Sequence, residues 1–142
     1  MRAFNKLVSL PARDRVLLLR AFSRIVEATI VVHLLPYRVL EKKLQETPNC
    51  SSLQSGEAEA KRVVWAIEAV GRRMPGATCL VKALAGRHLL ARCGYDTDLR
   101  IGVSRDSERK FIAHAWLEWR GLTLPGGQDA PVKYKAMNLS PR

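Results

Sequence analysis

Apolar residues in the first quarter of the chain recur every three to five positions, as Leu17, Phe22, Ile25, Thr29 and Val32. That spacing predicts a helix from Pro11 to about His33 with one buried stripe. Pro11 suits a first helical turn, and Ser9 is a candidate cap upstream. Pro36 interrupts the pattern, and a second short helix is expected from Tyr37 to Gln45. The stretch Thr47-Pro-Asn-Cys-Ser-Ser-Leu-Gln-Ser-Gly56 is a loop by composition. Beyond it, Glu57 and Glu59 favour a helix start, and Val63, Ala66, Ile67 and Val70 continue an apolar face to about Arg73. Met74-Pro-Gly-Ala77 breaks that helix, and another runs from Cys79 to about Arg92, where Gly94 stops it.

After Gly94 the period changes from helical to alternating. Leu99, Ile101 and Val103 alternate as a strand, Arg105 to Arg109 reads as a turn, and Lys110 to Trp119 forms a second strand. Gly121 turns the chain, Leu122 to Leu124 returns, and Val132 to Met137 is a candidate edge strand. Helices followed by an antiparallel sheet make an α+β fold. The length of 142 residues suits one domain over 1–142, with a helical part at 1–46 and a core at 57–142. Tyr37, Trp65 and Trp116 are expected as core or partly buried aromatics, with Trp116 also able to line a site.

Composition narrows the class of protein. A hydrophobic fraction of 47% supports a packed core rather than disorder. The 24 Lys and Arg against 13 Asp and Glu give a net charge of +11, which points to an acidic partner. The basic residues are scattered, with no Lys/Arg run and no interleaved aromatics, so nucleic acid is not the expected partner. The apolar segment from Val16 to Leu35 carries Arg20, Arg24, Glu27 and His33, which argues against a membrane span. Residues 1–9 lack the pattern of a signal peptide. Three cysteines without CxxC spacing argue against a disulfide framework or a structural zinc site, and the expected setting is the reducing cytoplasm.

Two residues stand out chemically. Cys79 opens a helix directly after a Pro/Gly break, where unpaired N–H groups and the helix dipole favour a thiolate and form a ready oxyanion hole. A buried structural cysteine is the bland alternative. His114 lies in the second strand, with Trp116 and Glu118 on its face and Ala113, Ala115, Leu117 and Trp119 on the other. The flanking alanines leave room for a helix to pack close by, and a helix-start cysteine with a strand histidine suggests a Cys–His pair. His88 falls on the opposite side of its helix from Cys79, Cys93 is too far along the axis to act with it, and His33 is a weaker candidate. A third group is usually needed to orient the imidazole. Glu118, Gln128 and Asp129 are the candidates: Glu118 shares the strand face, and a hairpin could bring Asp129 beside His114.

Three segments taken together resemble a known family. Thr78-Cys-Leu-Val-Lys-Ala-Leu-Ala-Gly-Arg-His-Leu-Leu-Ala-Arg-Cys-Gly94, Ile101-Gly-Val103 and Ala113-His-Ala-Trp-Leu-Glu-Trp-Arg-Gly121 are similar in order and spacing to the transglutaminase-like leader peptidases of lasso-peptide biosynthesis. The resemblance implies a transglutaminase-like, papain-like core and a peptidase that removes the leader of a ribosomally made precursor. Cys79 would be the nucleophile and His114 its base, through a thioester that needs no metal, ATP or other cofactor. The chain would be the split form of the family and depend on a small leader-recognition protein, with the ring-closing cyclase a further candidate partner. In many members an Asp follows the return strand at a register that falls here on Gly126. Asp129 would then take that role through a shifted loop, the site would work as a dyad, or the chain would be a catalytically impaired, peptide-binding relative of the same fold.

Overall fold

The computed structural model describes residues 10–46, 48–50, 52, 54–105, 107–120, 122–124 and 135–137. Among these residues four helices come first: α1 (Ala12–His33), α2 (Tyr37–Gln45), α3 (Glu57–Gly71) and α4 (Cys79–Arg92). Four strands follow: β1 (Asp98–Arg105), β2 (Phe111–Trp119), β3 (Leu122–Thr123) and β4 (Lys135–Met137). The expected α+β order and its element boundaries hold closely. Pro11 is the residue that caps α1 rather than part of its first turn, and Ser9 lies outside the described residues.

Helix α4 is the centre of the fold, packed against α1, α3, β1 and β2. Its buried residues Val81, Ala83, Ala85, Gly86, Leu89, Leu90 and Ala91 surround the axis instead of forming one stripe. Small side chains at 83, 85, 86 and 91 let three layers close on it. A Cβ at Gly86 would stand 3.3 Å from Leu117 Cδ1, so this helix meets β2 at a position with no side chain. Gly94, at φ +81°, ends the helix: its N–H donates to the Ala91 carbonyl and the Tyr95 N–H to that of Leu90. This is a Schellman cap, with the left-handed residue supplied by glycine. Tyr95 is buried behind it, donates its hydroxyl to Ser55 O at 2.9 Å and meets Trp119 edge-on at 5.1 Å.

Helix α1 packs on α3 and α4 through Leu17, Ala21, Ile25, Ala28 and Val31. The expected stripe is therefore corrected at Phe22, which is 51% exposed. The buried stripe runs through positions 17, 21, 25, 28 and 31, and at about 100° per residue Phe22 falls well to the side of it, so the phenyl ring is left outside. Arg13 pairs with Glu59 at 3.0 Å, and Arg62 pairs with Asp14, tying the start of α1 to α3. Trp65 and Tyr37 are also corrected, because both are exposed. Val63, Ala66 and Ile67 face the core from α3, and the 3.6-residue period puts Trp65 on the opposite side. Tyr37 opens α2, which buries none of its residues. Trp116 is buried as expected. Among the described residues, no helix is long and apolar enough to cross a membrane.

The sheet is antiparallel in the order β3-β2-β1-β4. Leu99 pairs with Leu117 and Gly102 with His114. Leu99, Ala115 and Leu117 join the helical core. Of the two alanines beside His114, Ala115 is buried and Ala113 is exposed.

Candidate active site

Gly76 sets the geometry between α3 and α4. At φ +81° it turns the chain, and its carbonyl accepts the N–H of Thr78 at 2.8 Å. The same carbonyl accepts from His33 Nε2 at 3.1 Å, so this ring nitrogen carries the proton. The end of α1 thus holds the turn that precedes Cys79. Thr78 is extended and caps α4, its hydroxyl oxygen accepting the Val81 N–H at 3.4 Å. Cys79 is then the first helical residue, half-buried, in the turn whose leading N–H groups have no intrahelical acceptor.

Cys79 and His114 line one cavity of about 60 Å³. Trp116 and Leu117 of β2 and Glu68 and Lys82 of the helices also border it. The His114 ring lies nearly parallel to that of Trp116, with centroids 6.2 Å apart and an 18° interplanar angle. Burial lowers the pKa of His114 below the ordinary histidine value, and the positive charge of Lys82 lowers it further. Both effects favour the neutral imidazole, the form able to accept a proton.

Lys82 and Glu68 were not singled out from the sequence. Lys82 lies one turn after Cys79 on the same side of α4, and its Nζ is 3.2 Å from each oxygen of Glu68. A Cβ at Gly71 would stand only 2.7 Å from Lys82 Cδ, so the glycine at the end of α3 makes room for this stem. The i, i+3 spacing from Cys79 was the available signal for Lys82; Glu68 comes from another helix and had none.

The candidates for a third group separate. Both Glu118 oxygens are engaged elsewhere, Oε1 by Trp116 Nε1 and Oε2 by Arg100 Nε, each at 3.0 Å. Glu118 thus fixes the indole that stacks on His114. Gly126, Gln128 and Asp129 lie outside the described residues. His88 borders a different cavity, in keeping with its expected direction away from Cys79. Cys50 is exposed, and Cys93 is half-buried with its thiol pKa pushed up by burial and then by Glu59. Among the described residues, no cluster of three or more His, Cys, Asp or Glu could hold a metal ion.

A central helix that begins at a cysteine and packs on an antiparallel sheet is the architecture of a transglutaminase-like core. The chain belongs to the transglutaminase-like superfamily, whose family model matches residues 22–138. No curated protein and no solved structure matches it significantly.

Proposed function

We propose that the protein is a cysteine peptidase that removes the leader from a ribosomally made lasso-peptide precursor. The observation that carries this reading is the shared cavity, which has Cys79 on the capped start of α4 and His114 on β2. The order and spacing of the motifs around these residues support the narrower assignment to leader removal.

In the proposed reaction the Cys79 sulfur attacks the scissile carbonyl while His114 takes the thiol proton. The N–H groups at the start of α4 stabilise the oxyanion. His114 then gives the proton to the leaving amine, which departs as the core peptide, and the leader remains on sulfur as a thioester. Water, deprotonated by His114, hydrolyses the thioester and restores the thiol. Asp129 is proposed to orient the imidazole. A separate small recognition protein presents the leader, and the site of action is the cytoplasm.

The test compares wild type with Cys79→Ala on a neighbourhood-encoded precursor and its recognition partner, with products read by mass spectrometry. Leader release by wild type alone is the expected result. Binding of the precursor without cleavage by either protein would overturn the peptidase reading in favour of a non-catalytic peptide-binding relative. A leader retaining an added amine in place of water would instead identify an acyl transferase.

A further inference from the structure

Helix α1 is apolar on two sides. Leu17, Ala21, Ile25, Ala28 and Val31 face the core. Val16, Leu19, Phe22 and Ile30 are exposed, Leu19 by 68%, and the helix ends at Leu34, which is 75% exposed. Within the outer set the spacing is regular. Val16, Leu19, Ser23, Val26 and Ile30 follow one another at intervals of three, four, three and four residues. At about 100° per residue they share one narrow arc, turned away from the buried stripe. Apolar residues at alternating steps of three and four make the a and d seam of a two-helix coiled coil. None of these five residues lines the cavity shared by Cys79 and His114, so the seam stands independently of the reaction there.

The charges beside the seam indicate its occupant. In the heptad set by these residues, Arg20 and Glu27 flank one side and Arg15 and Phe22 the other. Arg15 and Arg20 are exposed, and Glu27, with 52% of its side chain exposed, meets Arg24 through Oε2 at 2.7 Å. The other charged groups at the start of the helix are paired within the chain, Arg13 with Glu59 and Asp14 with Arg62. Two copies of α1 running parallel would set Arg15 of one against Arg20 of the other. Running antiparallel about a two-fold axis, Leu19 falls opposite Ile30 of the second copy, and Ser23 opposite its Val26. Each Arg20 then faces Glu27 across the seam, twice by symmetry, and the two Arg15 side chains lie at opposite ends. An anionic membrane would gain from Arg15 and Arg20 but would meet Glu27 beside them, whereas a second copy pairs it.

We propose that the outer face of α1 is a self-association surface, on which a second copy of this chain packs its own α1 antiparallel across Val16, Leu19, Ser23, Val26 and Ile30. The net charge of +11 on each copy opposes the approach. At physiological salt, charges farther apart than about 8 Å are largely screened, and the pairs beside the seam are closer than that. The seam is only about 20 Å long, so the interface is small and the dimer dissociates on the micromolar scale.

The test is sedimentation velocity of the full chain from low to high micromolar concentration at physiological salt. The average mass should climb with concentration from that of a monomer toward that of a dimer. Leu19→Glu, at an exposed position that leaves the core untouched, should weaken association by about tenfold or more. Arg20→Glu and Glu27→Arg should each weaken it several-fold, and the two together in one chain should restore it. A monomer at every concentration, association unchanged in Leu19→Glu, or charge reversals that do not rescue each other would overturn the proposal. A monomer that binds phosphatidylglycerol vesicles, and loses them in Leu19→Glu, would also overturn it and give the face to a membrane.

Discussion

Helices α2 and α4 show how little a helix's own pattern says about its place in the fold. Over nine residues α2 gathers Tyr37, Leu40 and Leu44 on one side and Arg38, Lys42 and Gln45 on the other, yet buries none of them. Over fourteen residues α4 separates apolar from polar far less cleanly, yet eight of its residues are buried. A clean stripe marks a helix lying on a surface, whereas apolar residues all round mark one enclosed by other layers. The difference also has a chemical side. Both cavities lie against α4, and the enclosed helix carries Cys79, Lys82, Arg87 and His88 to them.

The contrast can be broken most forcefully at Leu90, which is 1% exposed on α4. Leu90→Ala should destabilise the fold by about 2–5 kcal/mol in urea unfolding. A cost under ~1 kcal/mol would remove α4 from the centre of the core. Thr78→Ala, which deletes the cap ahead of Cys79, should cost about 1 kcal/mol, and Thr78→Ser should restore most of it. Equal stability of all three proteins would mean that the cap contributes nothing.

His114 sharpens the comparison through pH. Because its pKa is lowered in the folded state, the unfolded chain binds the proton more readily. The resulting stability is present above the unfolded pKa and is lost as pH falls through the lowered value. Lys82→Met removes one cause of the lowering and leaves Glu68 without its cation, so the His114 ring should titrate at a higher pH by NMR. A titration unmoved or displaced downward would exclude Lys82 as a cause. The smallest effect is expected on α2, where Tyr37→Ala at a 71% exposed position should change stability by no more than about 0.5 kcal/mol. A loss comparable to that at Leu90 would show that α2 is anchored after all.

Much of this arrangement was legible in the sequence, because local chemistry determined it. Pro75 and Gly76 turn the chain between two helices and Thr78 caps the second, so Cys79 could be placed at a helix start. Alternation from Phe111 to Trp119 placed His114, Trp116 and Glu118 on one face. Legibility ended where two distant segments decide the outcome. Lys82 gains its meaning from Glu68 and from the space at Gly71, both on α3. Among the described residues Arg87 Nε has no acceptor, which depends on what α1 and α2 place around it, and no periodicity encodes that.

The strand order also bears on how the chain matures during synthesis. β1 is the first strand to leave the ribosome, and β4, which covers one of its edges, comes more than thirty residues later. Among the described residues, β4 supplies the pairing on that edge, and an edge left without it is open to pairing with a neighbouring nascent chain. The helices can assemble early around α4, but among the described strands the one that covers this edge comes last.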